Sequence, residues 1–152
     1  MDDDKNISLI KEYYRSFVNW GRCFSIGTYL MGSGCCAQEM ESIFNPSYDA
    51  ERLGIYHVSS PRHADLLVVG GPINEKMARE IVETYSEIGM PKWVLANGAC
   101  SCGGGLFNKD GNLKKLHDLI KVDIFIPGCP PRPEALIYSI LRLRLKIRMT
   151  SH

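Results

Sequence analysis

The chain has 152 residues, 45% hydrophobic and 23% charged, with a formal net charge of +1. That is long enough for one domain, residues 1–152, with a real core, and too balanced in charge to suggest nucleic acid as a partner. The apolar runs fall far short of the roughly 18–20 residues that cross a bilayer, and the acidic opening MDDDKN does not read as an export signal.

Taken in order, Ile7, Ile10, Tyr13, Tyr14, Phe17 and Val18 recur at helical spacing and predict a helix over 7–18, ended by Gly21. Residues 24–30 read as a strand that empties into a glycine-flanked loop. A short helix over 37–44 stops at Asn45-Pro46, and a helical piece over 49–53 stops at Gly54. Strands follow at 55–58 and, most clearly, at 65–69 (DLLVV). Asn74 is placed to cap a helix to Ile88, with Gly89 as its C′ residue. A strand at 93–96, a helix over 113–120 and a strand at 122–126 come next. Pro133 opens a last helix, in which Leu136, Ile137, Ile140 and Leu141 face inward. Beyond Leu141 the pattern turns to alternation of Leu or Ile with Arg142, Arg144, Lys146 and Arg148, which fits a helix poorly. No repeat, low-complexity tract or linker is present. Apolar strands alternating with amphipathic helices predict an α/β fold, a parallel sheet flanked by helices in flavodoxin-like fashion.

The cysteines carry the chemistry. Cys35 and Cys36 are adjacent, and consecutive Cα atoms about 3.8 Å apart are too close for an ordinary disulfide, which spans roughly 4.4–6.8 Å. Cys100 lies in NGACSCGGG and Cys129 in PGCPPRPE, so three Gly- or Pro-rich loops bring four thiols. Four thiolates are what a cubane iron–sulfur cluster takes. Each loop follows a predicted strand, and open parallel sheets place their ligands at the carboxyl ends of strands. The loops therefore converge, and the expected group is a [4Fe-4S] cluster on Cys35, Cys36, Cys100 and Cys129 in a reducing compartment. Arg62 and Arg132 are candidates for offsetting its negative charge, and Glu39 for flanking it. Adjacent ligands on one cubane predict backbone strain at Cys35–Cys36.

Plainer readings apply elsewhere. Cys23 and Cys102 read as small buried hydrophobes. A structural zinc site favours C-x₂₋₄-C pairs, which the chain lacks, yet a zinc-stabilised interaction module is the rival of a different class. His57, His63, His117 and His152 form no ligand pattern. The glycine runs match neither dinucleotide nor P-loop fingerprints. The basic tail reads as a solvated helix face, with phospholipid headgroups or a partner as the other reading.

Several stretches together resemble the B subunit (20 kDa subunit) of respiratory complex I, a family related to the small subunits of [NiFe]-hydrogenases. They are NWGR at 19–22, CCAQEM at 35–40, YDAERLG at 48–54, SPRHAD at 60–65, PKWVLANGAC at 91–100, GGLF at 104–107 and IPGCPPRPEALI at 126–137. The resemblance implies a [4Fe-4S] cluster on the same four cysteines, passing electrons to quinone at the interface with a large subunit related to hydrogenase large subunits. It implies a ferredoxin-like subunit with two [4Fe-4S] clusters as donor, membrane-arm subunits, and a peripheral place on the cytoplasmic side of the membrane. The chain would then be an enzyme subunit, not catalytic alone. Phe24, Ile26, Tyr29, Leu30 and Met31 are expected to line one wall of the quinone cavity. Three features depart from the family pattern: Ser47 where an arginine is usual, the character of 108–121, and the extra Cys102. Hydrogenase small subunits usually have C-x-x-C in place of Cys35-Cys36, so the tandem pair favours quinone over the alternative, a membrane-bound [NiFe]-hydrogenase or related energy-converting complex.

Overall fold

A computed structural model describes residues 3–108 and 111–149. The element order is α1 (Asp3–Phe24), β1 (Ile26–Gly32), α2 (Gly34–Ser42), β2 (Ile55–His57), β3 (Leu66–Gly70), α3 (Glu75–Glu87), β4 (Trp93–Asn97), α4 (Ala99–Gly103), α5 (Leu116–Leu119), β5 (Ile124–Ile126) and α6 (Pro133–Met149). The strands form one five-stranded sheet in the order β2-β1-β3-β4-β5, every pairing parallel. This is the flavodoxin-like order, with its switch point between β1 and β3. The expected α/β class is the one observed.

Side chains alternate across the strands and feed two cores. Ile26, Leu66, Val68, Leu95 and Ile126 pack on one face with Met40 and Ile43 of the α2 region and with Leu136, Ile140, Leu143 and Ile147 of α6. Leu67, Val69, Val94 and Ala96 pack on the other with Ala78 and Ile81 of α3 and with Leu116. β3 is buried along its whole length, as its unbroken apolar run predicts. Register aligns Gly32 with Gly70 and Gly70 with Asn97, so β1, β3 and β4 end level at one carboxyl edge.

Boundaries differ from the sequence reading where packing outweighs local signals. α1 runs through Gly21 to Phe24, because its end packs on α6 and buries Cys23. α6 stays helical to Met149; Leu136, Ile140, Leu143 and Ile147 form a buried stripe at helical spacing inside the alternating sequence. Asn74 caps α3 as expected, its Oδ1 accepting from Met77 N at 2.8 Å. Gly89 stands at C′ as expected, next to the C-cap Ile88 in extended backbone, and has no positive φ. Lys92 Nζ donates to the carbonyls of Tyr85 and Ile88. The segment 113–120 is helical only over Leu116–Leu119, and a short helix not foreseen, α4, carries Cys100.

Candidate metal centre

Cys35 and Cys36 sit in the first turn of α2, directly after β1; Cys100 sits in α4, after β4; Cys129 follows β5. All three connections leave the carboxyl edge. Gly98 N donates to Ile126 O and Ala99 N to Gly128 O, both at 2.8 Å, which ties the Cys100 turn to the Cys129 loop. Cys36 interacts electrostatically with Cys35 and Cys100, and Cys100 with Cys129 and Cys35. The four cysteines singled out in the sequence thus share one neighbourhood. Cys36 and Cys100 are buried beneath it, while Cys35 and Cys129 are exposed.

Two glycines make room for the sulfurs. A Cβ on Gly98, at φ +97°, would lie 2.6 Å from Cys36 Sγ, and one on Gly105 would lie 2.7 Å from Cys100 Sγ. Burial pushes the Cys36 thiol up to about 11, reinforced by the neighbouring Cys35 and opposed by a backbone N–H donated from Gly71. Burial also raises Cys100, with Cys129 and Cys35 adding to it. Desolvated thiols crowded together hold their protons more tightly, so the arrangement suits an electron-poor group that takes several sulfurs as thiolates. Among the described residues, no group of three or more His, Cys, Asp and Glu is positioned to hold a metal ion.

The strain expected at Cys35–Cys36 is absent. Both lie in regular helix after Ser33 in extended backbone, and positive φ near them falls on Gly34 and Gly71 instead. A helical turn already splays adjacent side chains by about 100°, so the tandem pair diverges without distortion. Arg132 is exposed at the start of α6, three residues past Cys129, and Glu39 is half-buried one turn beyond Cys35 and Cys36 in α2. Arg62 stands apart from them. It lies ahead of β3 in a segment tied to β1 by Gly27 N donating to Asp65 Oδ2. Leu66, four residues after Arg62, is itself about 13 Å of strand from Gly70 at the carboxyl edge.

Cys102 turns away from the other sulfurs; its Sγ donates to Ala96 O at 3.5 Å and to Ile126 O at 3.8 Å. Cys23 is buried at the far edge of the sheet, against Arg144 O. The proposed quinone wall does not form on β1. Ile26 and Leu30 pack into the α2/α6 core, while Tyr29 and Met31 pack into the α3 core, as strand alternation demands. Two buried polar residues escaped the sequence reading. Ser101 Oγ donates to Asn97 O at 2.9 Å and to Gly98 O at 3.1 Å, bracing the turn beneath Cys100. Asn97 itself is 1% exposed with Oδ1 unpartnered at the end of β4. An Asn closing an apolar strand just before a glycine was the available signal.

The family model for the NADH ubiquinone oxidoreductase 20 kDa subunit matches residues 34–143, a stretch that contains all four clustered cysteines. The chain belongs to that family. The NADH-quinone oxidoreductase B subunit of Citrifermentans bemidjiense is 40% identical over 147 residues, covering 97% of this chain and 86% of the relative. The chloroplastic NAD(P)H-quinone oxidoreductase K subunit of Angiopteris evecta is 39% identical over 153 residues, 98% of this chain and 61% of its own length. Among solved structures, a chain of an archaeal respiratory complex, the membrane-bound sulfane sulfur reductase, superposes with TM-score 0.83 at 37% identity, over 89% of this chain and 77% of that one. A chain of an NAD+-reducing [NiFe]-hydrogenase shares the fold, with TM-score 0.62 at 17% identity over 80% of this chain and 92% of that one. The 20 kDa subunit family is one of oxidoreductase subunits, and among the described residues no helix of this member is long and apolar enough to cross a membrane.

Proposed function

We propose that the chain is an electron-transfer subunit of a quinone oxidoreductase complex, with a [4Fe-4S] cluster bound by Cys35, Cys36, Cys100 and Cys129. The observation that carries this is the meeting of those four cysteines at one sheet edge, with glycine at the two points where a Cβ would strike a sulfur. A cubane bound there supplies reversible one-electron chemistry. The protein's part is to bind and tune. Gly71 N–H donates to Cys36 sulfur, backbone hydrogen bonds of Gly98 and Ala99 tie the Cys100 turn to the Cys129 loop, and burial of Cys36 and Cys100 excludes water from two of the sulfurs. Arg132 and Glu39 are proposed to set the surrounding charge.

A lone redox centre needs a donor and an acceptor. The partners proposed are a large subunit related to those of hydrogenases, a ferredoxin-like subunit with two [4Fe-4S] clusters, and membrane-arm subunits, with the chain peripheral on the cytoplasmic side. Leu106 and Phe107, exposed just past Cys100, suit such a covered edge. A buried interface above roughly 2,000 Å² is expected of a permanent complex. The close likeness to the sulfane sulfur reductase chain favours, as a second reading, a complex of the same build with an acceptor other than quinone. Assay of the purified complex separates the two. Reduction of a soluble quinone analogue, with about four irons and four acid-labile sulfides per copy of this chain, supports the first. Reduction of sulfane sulfur or evolution of hydrogen without quinone reduction supports the second and removes the first.

A further inference from the structure

Asn97 places a polar side chain where the fold gives it nothing to bond. It closes β4, the apolar strand WVLAN, and is 1% exposed. Its Oδ1 has no hydrogen-bond partner among the described residues. Ser101 Oγ, the buried hydroxyl four residues on, donates to the main-chain carbonyls of Asn97 and Gly98 and not to the side chain. A buried amide left unsatisfied destabilises a fold, and native chains keep few of them.

The surroundings point to a use. Strand alternation puts Asn97 on the same face as Leu95, the face covered by α2 and α6. Its partners in register are Gly70 on β3 and Ile126 on β5. Gly70 has no side chain, and the space over it belongs to α2. A Cβ there would stand 3.1 Å from Cys36 Cβ and 2.7 Å from Met40 Sδ. One residue beyond Asn97, a Cβ on Gly98 would stand 2.6 Å from Cys36 Sγ. Of these neighbours Met40 and Ile126 are apolar, while the Cys36 sulfur becomes a strong acceptor once it is a thiolate.

We infer that the side-chain amide of Asn97 donates an N–H to the Cys36 sulfur in the loaded protein and so raises the reduction potential of the centre. The inference rests on the cluster reading proposed above. A half-turn about χ2 exchanges Oδ1 and Nδ2 within one volume, so the donor reaches a thiolate without any movement of the strand. A neutral donor beside an anionic centre favours the form with one more electron, because the hydrogen bond strengthens with the charge on its acceptor. Gly71 N–H donates to the same sulfur, so Cys36 receives one donor from the main chain and one from a side chain. Thr28 supplies the comparison. Its Oγ1 is also buried without a partner, on the same face, but it stands four residues before Gly32, about 13 Å of strand from the carboxyl edge.

The test is a redox titration of the purified complex followed by low-temperature electron paramagnetic resonance, with parent, Asn97→Leu and Thr28→Val chains. Leu keeps the branched shape of Asn and has no donor. Asn97→Leu is expected to keep the iron content of the parent and to shift the redox equilibrium about tenfold toward the oxidised form, a potential lower by about 59 mV for a one-electron couple. Thr28→Val is expected to stay within about twofold of the parent. In the unloaded chain, Asn97→Leu is expected to unfold at the parent's temperature or above it, because an unsatisfied polar group has gone. If the Leu chain does not load, Asn97→Val, with a smaller side chain, takes its place. An unchanged potential in the Asn97 variant, with or without a lower unfolding temperature, overturns the inference, as does an equal shift in Thr28→Val, and either leaves the cluster standing. A parent complex with no cluster signal and no iron on this chain removes the cluster reading and this inference together.

Discussion

Gly98→Ala probes the candidate metal centre without touching a sulfur. Gly98 sits at φ +97°, ψ 157°, a region that is essentially glycine-only and costs another residue about 1–3 kcal/mol. The added Cβ would stand 2.6 Å from Cys36 Sγ, about 1 Å inside a comfortable contact. Relieving that overlap in a packed site costs about another 1–3 kcal/mol. The total is about 2–6 kcal/mol, which in a chain of this length lowers Tm by roughly 6–20 °C. Cys36 is 2% exposed with α2 behind it, so its sulfur moves out of the ligand set rather than into free space. Thermal unfolding of the unloaded chain and iron content of the loaded one are the assays. Gly103→Ala in the same turn is the control, because nothing lies within 4 Å of its Cβ position, and it is expected to shift Tm by no more than about 2 °C. A Gly98→Ala protein with the Tm and iron content of the parent would refute the reasoning.

Other expectations follow from single contacts. Asn74→Ala removes the α3 cap and is expected to cost about 1 kcal/mol, about 3 °C in Tm, with iron content unchanged. Cys36 keeps its proton in the folded, unloaded chain up to about pH 11, whereas an unfolded cysteine releases it near 9. Its stabilising share is therefore full below pH 9 and lost as pH rises from 9 to 11, by at most about 3 kcal/mol, and urea titrations across that window measure it. The same raised thiol must lose its proton to bind iron, so reconstitution is expected to speed up from pH 7 to pH 9. A flat rate over that range would count against Cys36 as a ligand.

How legible the fold was depended on how local its cause is. The parallel sheet showed in DLLVV and VDIFI, because a strand buried on both faces needs no partner to look apolar. The convergence of the cysteines showed because each follows a strand, and parallel strands all end at one edge. Two misreadings come from a neighbour distant in sequence. Gly21 looked like a stop until α6 packed on Cys23, and the alternating end of α6 hid a stripe that only the sheet beneath it reveals. The assignment of Phe24, Ile26, Tyr29, Leu30 and Met31 to one wall ignored that Phe24 ends α1 and that the strand period sends Ile26 and Leu30 to one face and Tyr29 and Met31 to the other. Arg62 was chosen by charge alone, and charge says nothing of where along a strand a residue stands.

The central claim is that the loops at the carboxyl edge hold one cubane through four named sulfurs. The direct measurement is low-temperature electron paramagnetic resonance of the reduced, purified complex, comparing Cys100→Ser with Cys102→Ser. These cysteines are two positions apart, but Cys100 interacts with Cys129 and Cys35 while Cys102 Sγ donates to Ala96 O and Ile126 O. The cluster signal is expected to vanish or change severely in Cys100→Ser, as in Ala variants of Cys35, Cys36 and Cys129, and to persist in Cys102→Ser and Cys23→Ser. A Cys102→Ser complex that loses the signal while Cys100→Ser keeps it would contradict the account.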